Sequence, residues 1–411
     1  MSWSSKVSSE GERLSIVGVG DDYAILTFER GGTHDLDGLQ NQMRTLLALE
    51  SRMVATSDRA ERACVETGIR ETVADVQSMI ERCGRSDFDR LKNSATRISQ
   101  LSIIGDDQYH QLPWELLCQY GDVQFANVPL VRRLKGAHEF SPSESIEDEL
   151  RILFVTARAN EDDVPPRAVI DPLLCNIDVC ARVQPRVTVL RSGDFDDMAD
   201  RLFDQQRDGK PAQILHLDLH GHVREGAKEN VAELVFETPP DLSRGGQWIG
   251  GRSVSAKELT DVIKSAGVQV LVLNACHSAS NQAGANFAYQ VAELGVPAVI
   301  GIRRGISVPG AATFVSQFYK FLCSSSESPQ PVIDSVALAR RQMMRSDPTE
   351  ASYPSVFITK TPPLRLKAAN DGAHIDKVHR TAQAVFDLPR PRPVGRALDE
   401  RMVRALSLIH I

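Results

Sequence analysis

The feature that most constrains this chain is a rhythm that begins at residue 150. Short, almost continuous apolar runs alternate with segments of helical apolar spacing. The runs are 151–158 (RILFVTAR), 187–192 (VTVLRS), 213–222 (QILHLDLHGH), 268–279 (VQVLVLNACHSA, strand and tip), 297–304 (PAVIGIRR) and 354–360 (PSVFITK). Runs of this kind, rather than polar–apolar alternation, mark strands buried on both faces. Between them, helical spacing predicts helices around 172–181 and over 194–206, 255–265, 285–294, 311–323 and 331–344. Residues 233–238 (ELVFET) read as a hairpin strand. Ser255 with Glu258 three residues on is a capping-box pattern, and Gly267 ends that helix. Repeated strand–helix units predict a mostly parallel α/β sheet with right-handed crossovers and helices on both faces.

The first part of the chain reads as α+β. Two strands (RLSIVGVG and YAILTFER) flank a Gly-Asp-Asp turn, helical spacing runs from 37 to 85, and SQLSIIG is a further strand. The LPWELL segment at 112–117 reads as a helix start with Pro in its first turn. Polar, turn-rich residues 135–149 mark a boundary. The expected organisation is an N-terminal α+β subdomain over 1–140, an α/β domain over 146–360, a linker over 361–390 and the start of another domain over 391–411. The Pro/Arg stretch LPRPRPVGR is linker-like. Arg392-Pro393-Val394-Gly395-Arg396 resembles the entry of STAND and AAA-type NTPase domains, although no phosphate-loop pattern follows within these residues. The expectation is a chain that stops early, ahead of a nucleotide-driven sensor.

Composition excludes several classes. Lys and Arg number 47 against 54 Asp and Glu, a net charge of −7, whereas wrapping nucleic acid or binding an anionic membrane needs a positive excess. No stretch approaches 18 uncharged apolar residues, so no membrane span is expected, and the N-terminus lacks the apolar run of a secretory signal. Seven scattered cysteines predict reduced thiols in a cytoplasmic protein rather than a disulfide framework.

In open α/β sheets, reactive groups gather beyond the carboxyl ends of the strands. Two predicted strands end in reactive residues there: His216-Leu217-Asp218-Leu219-His220-Gly221-His222 and Asn274-Ala275-Cys276-His277-Ser278. A thiol and an imidazole at neighbouring strand tips can perform nucleophilic catalysis, the imidazole generating the thiolate and later protonating the leaving group. Cys276 is the candidate nucleophile, because small residues after it leave room for a substrate. His220 is the candidate base. Gly221 lets the backbone turn at the strand end, and the N–H groups of Gly221 and Cys276 could receive an oxyanion. His216 reads as a core histidine bonded to a neighbouring carbonyl, and His222 and His277 as rim residues. The other cysteines read as small buried hydrophobes. One rival is a zinc site: His216, Asp218, His220 and His222 share a parity and so one face of a strand. Against it, a regular strand cannot converge four ligands. Arg158, at the end of the first α/β strand, is a candidate substrate-binding partner for an acidic side chain, and Asp218 for a basic one.

The stretches Leu215–Gly221 and Leu271–Ser278 resemble the His and Cys motifs of the caspase-like CHAT peptidases, in the clan of caspases, metacaspases and separases. The His-before-Cys order and the 56-residue gap are similar too. So are LPWELL, residues 254–259, VAELGVPAVIG and ALARRQ, so that the resemblance covers roughly residues 13–360. Leu219 departs from it, standing where relatives commonly carry a small residue. The resemblance implies a caspase-like fold and a cysteine endopeptidase with a Cys276–His220 dyad, needing no cofactor. It also implies a protein substrate, control by a sensor or NTPase domain or another partner, and a role in bacterial defence or cell-death signalling. A catalytically inactive signalling module is the alternative, and a zinc hydrolase a third.

Overall fold

A computed structural model of the chain describes residues 12–18, 23–30, 34–35, 37–83, 100–105, 107–121, 125, 127–134, 149–157, 167–177, 183–191, 193–224, 231–238, 251–275, 278, 286–324, 331–359, 364 and 384–387. The strands are β1 (Glu12–Gly18), β2 (Tyr23–Arg30), β3 (His34–Asp35), β4 (Gln100–Ile104), β5 (Leu130–Arg133), β6 (Glu149–Ala157), β7 (Gln184–Leu190), β8 (Ile214–Arg224), β9 (Val231–Glu237), β10 (Gly251–Ser255), β11 (Val270–Asn274), β12 (Ala298–Ile302), β13 (Pro354–Ile358) and β14 (Ala384–Asp387). The helices are α1 (Asp37–Ala55), α2 (Arg59–Cys83), α3 (Asp107–His110), α4 (Glu115–Tyr120), α5 (Arg167–Ile177), α6 (Phe195–Arg207), α7 (Ala256–Ala266), α8 (Phe287–Glu293), α9 (Val308–Ser324) and α10 (Pro331–Ser346). Among the described residues, no helix is long and apolar enough to cross a membrane.

One sheet carries the fold, in the order β14-β7-β6-β8-β11-β12-β13-β5-β4-β2-β1-β3, with β9 and β10 added beside β8. Its centre is parallel, as the apolar runs predict: β6 pairs with β7 and β8, and β8 with β11, which pairs with β12. β13 runs antiparallel to β12 and then pairs with β5, so the ladder continues from the α/β part into the N-terminal strands. β14 pairs with β7 inside the stretch expected to be a linker.

Period-two alternation sorts the buried strands between two layers. Ile152, Phe154, Ile214, Val270 and Val272 face α5, α9 and α10, meeting Leu173, Phe318, Tyr319 and Val336. Leu153, Val155, Leu215, Leu217, Leu271 and Leu273 face α6, α7 and α8, meeting Met198, Leu259, Ile263 and Val291. Each such side chain gains about 1.5–3 kcal/mol on leaving water. The N-terminal strands pack under α1 and α2 through Met43, Leu46, Val73, Val76, Leu101 and Trp114.

Several boundaries differ from expectation for local reasons. The helical stretch from 37 to 85 is two helices, because Asp58 accepts the Glu61 N–H at 2.8 Å and starts a second one. α5 starts earlier than the helix expected around 172–181 and holds Pro172 inside it, while residues 178–182 lie outside the described residues. The capping box of α7 is half formed. Ser255 accepts the Glu258 N–H at 3.3 Å, but the Glu258 carboxylate pairs with Arg252 instead of reaching back.

Buried charge joins the N-terminal elements to the sheet. Glu115, at the start of α4, is fully buried. It takes two hydrogen bonds from Arg132 on β5, one of them at 2.9 Å. Ser355 on β13 donates to it at 2.7 Å, and Arg303 lies 3.3 Å away. Burial by itself would raise the Glu115 pKa, but Arg132 and Arg303 hold it down to about 2. Removing one partner of such a cluster strands the other charges in the interior. Glu115→Gln is therefore expected to destabilise the protein by about 3 kcal/mol, read as a lower urea midpoint at unchanged slope. An unchanged midpoint would refute the role given to this cluster.

Candidate functional site

The site builds on β8 and its neighbours. As far as Leu219 the strand is buried, paired with β6 on one edge and, to Asp218, with β11. Among the described residues the β6 ladder reaches Leu219, opposite Ala157, and His220 is the first to pair with β9, opposite Val235. At that handover the side chains change from buried to exposed, and His220 is exposed. The strand does not end there. It runs on through Gly221, paired with Leu234, to Arg224, because the β9 hairpin extends the ladder. The sharp turn expected at Gly221 is therefore replaced by extended backbone.

Two residues before His220, Asp218 is buried, and its Oδ1 accepts from Asn274 Nδ2 at 2.8 Å. Asp218 and Asn274 are also the last matched pair of the β8–β11 ladder. A buried carboxylate needs such a donor. Cys276, His277 and Arg158 lie outside the described residues. Around Cys276 the described chain is well tied: Ser278 N–H donates to Ala275 O at 3.1 Å, and Ala288 N–H to Ser278 O at 2.8 Å. Ile302 N–H donates to Ser278 Oγ at 2.9 Å.

His216 is a core histidine as expected, with a different partner. Its Nδ1 lies 3.0 Å from the Tyr319 hydroxyl of α9, not from a carbonyl, and its ring stacks on Phe154 at 4.2 Å. His222 lies at the rim with Nε2 3.3 Å from Glu233. The four residues of the zinc alternative thus divide between core and rim, and among the described residues no group of three or more His, Cys, Asp and Glu is placed to hold a metal. Cys118 and Cys323 are buried as expected, whereas Cys64 and Cys175 are exposed. The thiol of Cys83 and all of Cys180 lie outside what the structure describes. What sequence reasoning missed is the Asp218–Asn274 bond and the anchoring of Ser278. The hint was present, since polar residues stood in otherwise apolar strands.

A mostly parallel sheet between two helical layers defines an α/β protein of the open-sheet class. The chain belongs to the CHAT domain family, whose sequence model matches residues 76–382. No curated protein matches it. Two crystal structures of the separase–securin complex of Saccharomyces cerevisiae are similar to it, at 14% and 13% identity with TM-scores of 0.41 and 0.39. Each match covers 69% of this chain but only 17% of the separase chain.

Burial makes two histidines acid-sensitive. Desolvation lowers the pKa of His216 from 6.5 to about 3. Desolvation, helped by the charge of Arg132, does the same to His110. Below pH 6.5 these rings bind protons in the unfolded chain but not in the folded one, so stability is lost as pH falls towards about 3. Each ring contributes a slope of about 1.4 kcal/mol per pH unit in that window. Urea midpoints are expected to fall between pH 6.5 and 5, and His216→Gln should make the fall shallower. An equal fall in both proteins would contradict this.

Proposed function

We propose that the protein is a caspase-like cysteine endopeptidase in which Cys276 is the nucleophile and His220 the general base. One observation carries the reading. β8 and β11 pair at a constant difference of 56 residues, from Ile214 with Val270 to Asp218 with Asn274. Cys276 and His220 are separated by the same 56 residues, each two positions past the last matched pair. That shared separation supports a reading in which the two residues stand at the tips of neighbouring strands. The exposure that begins at His220 supports access by a polypeptide.

In this reading His220 takes the thiol proton, and the Cys276 thiolate attacks the scissile carbonyl. The N–H groups of Gly221 and Cys276 receive the oxyanion, His220 protonates the leaving amine, and water hydrolyses the acyl-enzyme. Arg158 directly follows Ala157, which pairs beside His220, and is the candidate partner of an acidic substrate residue. Asp218, buried and bonded to Asn274, is the candidate partner of a basic one. Control by a sensor domain or other protein partner, and service in bacterial defence or cell-death signalling, are the biology that family membership suggests.

Proteome-wide mapping of new N-termini, with the unaltered protein and Cys276→Ala side by side, tests the reading. New termini should appear only with the unaltered protein. His220→Ala should lower kcat by about 10²–10⁴, and Arg158→Ala should shift the preferred residue before the cut. Cleavage surviving Cys276→Ala would refute the thiol mechanism.

A further inference from the structure

The β11–β12 ladder stops at Val272 paired with Ile300, so the two strands part below the candidate nucleophile. Two residues further along β12, the Ile302 N–H sits in the interior, where an amide needs an acceptor. Ser278 supplies it. Its hydroxyl oxygen stands in for the missing ladder partner at 2.9 Å, two residues after Cys276. With the Ser278 N–H on Ala275 O and its carbonyl taken up by Ala288, this buried serine is tied to the Cys strand, to α8 and to the tip of β12.

The tip of β12 is held in turn from far away in sequence. Arg303 and Arg304 follow Ile302, and both grip Glu50 of α1. Arg303 Nη2 donates to Glu50 Oε1 at 2.7 Å and Arg304 Nε to Oε2 at 2.8 Å. Ser352 donates to the same carboxylate at 2.9 Å, and Arg304 also reaches Ser51 at 2.8 Å. Glu50 and Arg303 are almost wholly buried. Neutralising the carboxylate would leave the buried Arg303 guanidinium and the partly buried one of Arg304 side by side at a single strand end, with Glu115 near Arg303.

We infer that Ser278 is a positioning residue for Cys276, and that Glu50, reaching in from α1, holds the strand end to which Ser278 is tied. The N-terminal helices then set the alignment of the thiol with its base. Alignment of this kind is sensitive, since a displacement of about 1 Å can lower a rate about 10²-fold. The inference rests on Cys276 being the nucleophile, and it adds a residue beyond the Cys276–His220 pair together with a route by which a partner docking on α1 would alter activity.

The test is alkylation by iodoacetamide, followed cysteine by cysteine by mass spectrometry at pH 6.5 and pH 9 in the full chain. Exposed Cys64 is the reference thiol, and buried Cys118 and Cys323 report whether the fold is intact. In the unaltered protein Cys276 should outpace Cys64 at pH 6.5. In Ser278→Ala and in Glu50→Gln it should slow at least about tenfold at pH 6.5 and recover at pH 9, because a thiol that loses its imidazole returns towards an ordinary pKa of about 8.5. Should Glu50→Gln make Cys118 or Cys323 reactive, Arg304→Gln replaces it and is judged identically. A Cys276 no faster than Cys64 in the unaltered protein removes the nucleophile reading, and this inference with it. A fast Cys276 that stays fast in either variant overturns the inference alone.

Discussion

β8 has to satisfy two sets of neighbours, and the architecture follows from that. Up to Leu219 it is an interior strand between β6 and β11. From His220 it becomes one arm of a hairpin with β9. Backbone groups left unpaired in the interior are unfavourable, and the hairpin with β9 supplies partners from His220 onward. The same change brings a histidine from the interior to the surface within four residues of a fully buried one, His216. Identical side chains, two register steps apart, therefore meet opposite environments: one is kept neutral against Tyr319 and Phe154, the other is open to solvent.

A second constraint is the buried charge beside β12 and β13. Glu50 and Glu115 come from the N-terminal helices, Arg303 from the end of β12 and Arg132 from β5. Desolvation of these ions is unfavourable unless all partners are present, so removing one carboxylate strands the guanidinium groups facing it. This cluster joins elements some 250 residues apart in sequence, as in the Glu50–Arg303 contact. It also brings α1 to the strand end that holds Ser278.

The legible parts of the sequence were those governed by local periodicity. The runs at 151–158, 213–222 and 268–279 announced interior strands because burial on both faces removes the need for polar alternation. ELVFET was recognisable as a hairpin strand. Helix ends were less legible. Asp58 splits one apparent helix by capping, and Glu258 abandons its capping box for Arg252, a residue of the neighbouring strand. Chemical residue types were visible in the His and Cys motifs, but their partners were not. Asp218 looked like a candidate substrate contact, and its bond to Asn274 depends on the β8–β11 register.

By itself, the sequence determined the fold class and the pattern of two helical layers, because hydrophobic periodicity is a property of neighbours along the chain. It also determined which side chains could do chemistry. Only the tertiary structure decided where β8 takes up β9, which of its histidines is buried, and that Glu50 and Ser278 stand in one connected set with the end of β12. Those outcomes depend on pairing register and on the desolvation of charges from distant segments, and neither is encoded in any local stretch.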